Sequence, residues 1–205
     1  RIGEVFSDME QEGCRILLEA GANVVSVRRF MDLRHYGQGR EVTRQGDPKR
    51  SVAEYEASIL GKTAALMRCS AKVGAQAAGM GPAEVDALAA FGEGFGMAFQ
   101  IIDDVLDVVA TSEKLGKPAG NDIGEGVFTL PVIYALEGAE GDRLTELLAN
   151  RTEEAAAAEA TELVRGSDGV RQALDAARDW NGRASDLWAG FDSPTAAGLA
   201  QLPDR

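Results

Sequence analysis

The chain has one histidine, His35, and two cysteines, Cys14 and Cys69, among its 205 residues. Cysteines so few and so far apart build neither a disulfide framework nor a zinc cluster. Both stand in apolar helical context, where small buried hydrophobes in a reducing, cytoplasmic compartment are expected. A di-iron carboxylate bundle normally needs two Glu-x-x-His elements, which a lone histidine excludes; His35 is expected to pack on a helix or lie at the surface. Basic residues are also short, with 21 Lys and Arg against 33 Asp and Glu and a formal net charge of -12. Without a basic field to displace counterions from phosphates, no nucleic-acid partner is expected. Any anionic ligand must be held by a few placed cations or by metal ions. No run of 18 apolar residues occurs, so no transmembrane segment is expected, and no signal peptide is visible. The opening stretch, RIGEVFSDMEQEG, lacks an initiator Met and reads as mid-domain sequence, so the natural protein is expected to begin upstream.

Hydrophobic residues make up 45% of the chain, and its length suits one domain with a sizeable core. Nearly all of it reads as helix. A helical pattern covers residues 2 to about 44, broken near Gly21 or at the GQG of 37–39. RQGDPKRS is a turn, and Ser51 is expected to N-cap a helix with Glu54 closing a capping box. That helix runs toward Met80, where GMGP breaks it, and Pro82 suits the first turn of another that ends near Thr111. The loop LGKPAGNDIGEG leads to a helix holding LPVIYAL. Helical stretches over 142–149, 152–165 and 168–189 and a short one after Pro194 complete the chain. No strand-length alternation is present, so the fold class is all-α, packed as a bundle with short connections.

Within the helix before that loop, MAFQIIDDVLDVVA places Asp103, Asp104 and Asp107 in one of the most apolar runs of the chain. Asp103 and Asp107 are one turn apart and share a face, which Gln100 joins; Asp104 is rotated from Asp103 by about 100°. Apolar neighbours on nearly every side imply a helix buried over most of its surface. Ionised carboxylates there repel one another and resist desolvation unless cations compensate. Clustered hard oxygen donors suit Mg²⁺, which takes one or two carboxylates and completes its shell with water and phosphate oxygens. The following loop adds Lys117, Asp122 and Glu125, and Lys62 stands on a mostly small and apolar helix surface. Two lysines beside an aspartate helix outline an anion cage.

GMAFQIIDDVLD followed by GKPAGNDIGEGVFTLPVIYAL resembles the second aspartate-rich region of the trans-isoprenyl diphosphate synthases (polyprenyl synthetases). YGQGRE resembles that family's Gly-Gln segment, and EYEASILGKTAAL its Lys-Thr helix, in the family's order and spacing over residues 36–136. The resemblance implies that the chain is the C-terminal part of a single all-α prenyltransferase domain, the N-terminal helices being absent from it. It implies a Mg²⁺-dependent condensation of an allylic diphosphate with isopentenyl diphosphate, in an enzyme that is usually a homodimer. Asp103 and Asp107 would ligate Mg²⁺ on the allylic diphosphate, with Asp104 a neighbouring acid at the metal. Lys62 and Lys117 would contact that diphosphate. Gln100 and the backbone carbonyl of Thr63 would face the carbon where positive charge develops. Gln38 and Glu41 would line the site, and Asp122 would support the metal and lysines from behind.

Two departures stand out. Val127 occupies the position, five residues after Asp122, where the family usually has lysine. The family's first aspartate-rich motif is not found, and DMEQE at 8–12 does not match it. A non-catalytic partner subunit of a heteromeric synthase is therefore an alternative, and a class I terpene cyclase a more distant one.

Overall fold

The computed structural model describes residues 45–110 and 120–187. The helices expected over 2–44 and after Pro194 lie outside these residues. Among the described residues there are only helices and turns, as the absence of period-2 patterning predicts.

Helix α1, Val52–Ile59, starts at Ser51, whose hydroxyl accepts from the Glu54 amide while the Glu54 carboxylate accepts from the Ser51 amide at 3.0 Å. The chain then departs from expectation. The single helix read toward Met80 is interrupted by a π-turn at Leu60–Ala64 before continuing as α2, Ala65–Ala77. Such a turn holds one extra residue and shifts every side chain around it. Gly79, at φ +72°, ends α2.

Helix α3, Pro82–Val109, begins with Pro82 in its first turn, and Glu84 accepts from the Gly81 amide at 2.8 Å. After the segment 111–119 come α4, Asn121–Glu125; α5, Leu130–Leu136; α6, Gly141–Ala149; α7, Glu154–Gly166; and α8, Asp168–Asp186. The short α4 lies in what the sequence presents as loop.

Helix α3 is the axis of the bundle, packed by α2 on one side and α8 on the other. Glycines make this closeness possible. A Cβ at Gly92 would sit 2.6 Å from the Met67 carbonyl oxygen, and one at Gly96 2.7 Å from the Ala64 Cα. On the other face a Cβ at Gly94 would come within 3.1 Å of the Trp180 carbonyl oxygen. Behind α3, Tyr55, Ile59, Met97, Ile101, Val105, Leu130 and Ile133 form one apolar core. Val108, Ile123, Phe128, Leu144, Leu148 and Val164 form a second. Arg165 closes the far end of α3, its guanidinium donating to the Val108 carbonyl at 2.8 and 3.1 Å. A cation there satisfies a carbonyl with no intrahelical partner and opposes the negative end of the helix dipole.

The expectation of a helix buried over most of its surface holds for two sides of α3. Phe99, Ile102, Leu106 and Val109 are 37 to 51% exposed and form a stripe along a third. By length and apolar content α3 also meets the requirement for crossing a membrane, with mean hydropathy 1.3 over its most apolar window. Half of that window is buried in protein, and the core helix of a soluble bundle meets the same requirement.

Candidate functional site

The π-turn carries Lys62 and Thr63 toward α3 at Gln100, because Gly96 lets the backbone at Ala64 approach closely. The Thr63 hydroxyl donates to Gln100 Oε1 at 2.7 Å, and Gln100 Nε2 donates to Asp104 Oδ1 at 2.9 Å. Asp104 Oδ2 accepts from the Tyr55 hydroxyl at 2.6 Å. Both Asp104 oxygens accept, so the Gln100 amide stands with its nitrogen toward Asp104 and its oxygen toward Thr63.

The three aspartates have different surroundings. Asp103 is exposed, while Asp104 is 6% and Asp107 4% exposed. Both Asp104 oxygens are engaged by the protein. Burial pushes its carboxyl up from 3.8 to about 7; the Tyr55 and Gln100 donors pull it down, nearby Asp122 raises it and Lys62 lowers it. Asp107 Oδ2 accepts from the Asp122 amide at 3.1 Å, and its own carbonyl accepts from the Gly120 amide at 2.8 Å. Asp107 thus fastens the chain where it returns to α3. Gly120 has φ +72° with Thr161 packed against its α-carbon, a conformation and closeness suited to glycine alone.

Lys62, Gln100, Asp103, Asp104, Asp107, Asp122, Glu125, Val127 and Thr129 line a recess of about 220 Å³. Seven of the residues singled out in the sequence (Lys62, Gln100, Asp103, Asp104, Asp107, Asp122 and Glu125) therefore meet in one place, with Thr63 hydrogen-bonded to its rim. Five carboxylates face one lysine among these lining residues. Such a donor set, all hard oxygen and net negative, fits a divalent cation of the Mg²⁺ type. Among the described residues no three acids converge tightly enough to cage a metal ion, so phosphate and water oxygens would have to complete its shell. Gln38, Glu41 and Lys117 lie outside the described residues. Val127, the departure from the family pattern, lines the recess.

Beside this polar recess runs an apolar groove of about 460 Å³ between α3 and α8, lined by Phe95, Phe99, Ile102, Leu106, Leu174 and Ala177 among others. Asp103 borders both spaces.

Sequence reasoning missed Tyr55 and Arg50. Tyr55 is 1% exposed and Arg50 5% exposed. The Arg50 guanidinium lies 5.4 Å from the Tyr55 ring centroid and donates to the Phe128 carbonyl at 2.9 Å. Tyrosine on an apolar helix face reads as core, and only the position of Asp104 across the bundle gives its hydroxyl a purpose.

A polyprenyl synthetase family model matches residues 16–164. Nonaprenyl diphosphate synthase of Mycobacterium tuberculosis is 32% identical over 196 residues, 94% of this chain and 52% of that protein. Heptaprenyl diphosphate synthase component 2 of Geobacillus stearothermophilus is 36% identical over 145 residues, 71% of this chain and 45% of that protein. The chain thus spans about half the length of these curated relatives. A polyprenyl synthase from Caulobacter crescentus, crystallised with calcium and isoprenyl diphosphate, superposes with a TM-score of 0.83 at 31% identity, covering 93% of this chain and 60% of the other. A shared fold, a family model across most of the chain and an acidic recess where the aspartate motif falls agree: the chain belongs to the polyprenyl synthetase family.

Proposed function

We propose that the protein is a Mg²⁺-dependent prenyltransferase that joins an allylic diphosphate to isopentenyl diphosphate and yields a longer trans-polyprenyl diphosphate. The observation that carries this reading is the position of Asp103 at the seam between a carboxylate-rich recess and an apolar groove. An allylic diphosphate has the same division, a polyanionic head on a hydrocarbon tail. Calcium and isoprenyl diphosphate in the Caulobacter relative support the same pairing of divalent cation and ligand.

In this reading Asp103, exposed at the mouth, and Asp107 hold the divalent cation, which when bound neutralises the diphosphate and favours its departure. Lys62 contributes a fixed positive charge to the leaving diphosphate, with Lys117 as its expected companion. The Thr63–Gln100 pair stands where the allylic carbon loses its leaving group, so that dipoles set in advance meet the charge that develops there. Apolar walls hold the tail and keep water from a carbon it would otherwise hydrolyse. Attack by the isopentenyl double bond forms the new C–C bond, and loss of a proton restores an alkene.

Purified protein should release pyrophosphate from an allylic diphosphate plus isopentenyl diphosphate in the presence of Mg²⁺ and not after chelation. Asp103→Ala should lower kcat by about a hundredfold or more without loss of fold, as expected when transition-state charge stabilisation is removed. A near-wild-type rate would reject the metal role. A second reading, that the chain serves as one component of a two-subunit synthase, is favoured by its similarity to a protein named heptaprenyl diphosphate synthase component 2. A homodimer that is active alone would decide against it.

A further inference from the structure

We propose that Tyr55 is a positioning residue: through Asp104 it sets the amide of Gln100, and thereby the dipole that the recess presents to its ligand. The inference deepens the prenyl-transfer reading and rests on it for the consequence in catalysis. Its ground is a continuous chain of hydrogen bonds that crosses the bundle from α1 through α3 to the π-turn. The Tyr55 hydroxyl donates to one Asp104 oxygen at 2.6 Å, Gln100 Nε2 donates to the other at 2.9 Å, and Thr63 Oγ1 donates to Gln100 Oε1 at 2.7 Å.

Tyr55 does not line the recess, and at 1% exposure its ring sits in the core against Ile59, Met97 and Ile101. Its position is itself fixed from behind. The Arg50 guanidinium stacks over the ring at 5.4 Å and is tied to the Phe128 carbonyl and to Ser58. The hydroxyl is thus a donor with little freedom, aimed at a carboxylate that is 6% exposed. A buried carboxylate held by two donors on different oxygens has one orientation; with one donor it can turn.

Gln100 depends on that orientation. A glutamine amide can be rotated by half a turn at almost no steric cost, exchanging its carbonyl for its NH₂. Both Asp104 oxygens accept in this arrangement, one from Tyr55 and one from Gln100 Nε2, which opposes the exchange, and the Thr63 hydroxyl donates to the carbonyl end of the amide. If Asp104 turns away, both ends of the amide become interchangeable, and the dipole facing the ligand is no longer of one sign. Where positive charge builds on the substrate carbon, an inverted amide opposes it.

Tyr55→Phe keeps the ring, its packing and its contact with Arg50 while removing the hydroxyl alone. Its kcat is expected to fall about ten- to a hundredfold, with KM for the allylic diphosphate unchanged, since a misplaced group near the chemistry costs that much. Asp104→Asn should lower kcat as well, and the double variant should be no slower than the slower single one, because both break one connection. Wild-type kcat in Tyr55→Phe, or losses that multiply in the double variant, would overturn the proposal. A second measurement does not depend on turnover. Hydrogen exchange of the Gln100 side-chain amide, assigned by its disappearance in Gln100→Leu, should quicken about tenfold or more in Tyr55→Phe. If the wild type fails to turn over prenyl substrates, the functional reading falls and this exchange decides alone: faster exchange upholds the positioning, and unchanged exchange refutes it.

Discussion

Asp104→Asn offers a test in which the size of the effect follows from the structure. Burial raises the Asp104 carboxyl from 3.8 in the unfolded chain to about 7 in the folded one. Between these values the folded protein binds the proton that the unfolded protein has lost, so stability falls as pH rises. The contribution is fully present below about pH 4 and is lost as pH passes 7. At about 1.4 kcal/mol per pH unit, the difference between pH 4 and pH 8 approaches about 4 kcal/mol as an upper bound. Asparagine at this position carries no charge at any pH and forfeits one hydrogen bond, about 1 kcal/mol. Urea unfolding with chelator present, at intervals from pH 4 to pH 8, should therefore show the variant slightly less stable than wild type at pH 4. At pH 8 it should be more stable, by at most about 3 kcal/mol, the upper-bound charge term less the lost bond. Other titrating groups cancel in the difference between the two proteins. Adding Mg²⁺ and pyrophosphate should narrow the gap at pH 8, because cations nearby favour the ionised carboxylate. A stability difference that stays flat across the pH range would refute the burial of a carboxyl with a raised pKa.

Two further substitutions probe the frame around the recess. Gly96→Ala would place its Cβ 2.7 Å from the Ala64 Cα, so the π-turn must retreat from α3. A loss of about 1 to 3 kcal/mol by denaturant unfolding is expected from such overpacking, with kcat reduced as Thr63 parts from Gln100; unaltered stability and rate would deny the close approach a role. Val127→Lys adds an ammonium to a recess of five carboxylates and one lysine. KM for the allylic diphosphate should fall about tenfold, the worth of one charged hydrogen bond, and an unchanged KM would mean that the position does not face the ligand.

Local signals were legible in the sequence wherever short-range chemistry decides the outcome. Ser51 and Glu54 form the expected capping box, and Pro82 starts the long helix as its fixed φ allows. Of the ten site residues that the family resemblance implies, six line one recess and a seventh, Thr63, joins it by a hydrogen bond, while Gln38, Glu41 and Lys117 lie outside the described residues. What was not legible depends on distant partners. Spacing puts Asp103 and Asp107 on one face, yet only Asp107 is covered, because the chain returning at Gly120 and Asp122 lies across it. The π-turn carries only one glycine, Gly61, as a local signal, and a lone glycine does not interrupt a helical pattern; the turn sits where Gly96, thirty or so positions away, leaves room. Tyr55 is buried in the core, yet its hydroxyl belongs to the site. Helix α4 was hidden in a glycine-rich stretch because Asp107 anchors its start through the Asp122 amide.

The glycine contacts along α3 have an evolutionary corollary. At Gly96 the opposing residue is Ala64, so neither side can shed a further atom except by placing a second glycine, beside Gly61, inside the π-turn, where a floppier backbone would blur the alignment of Thr63. Distance at that crossing is already at its floor and cannot be adjusted by small compensating exchanges. Variation among descendants of this scaffold should therefore avoid the crossing and accumulate instead along the groove, at side chains such as Phe95, Phe99 and Leu106 that have space to grow or shrink.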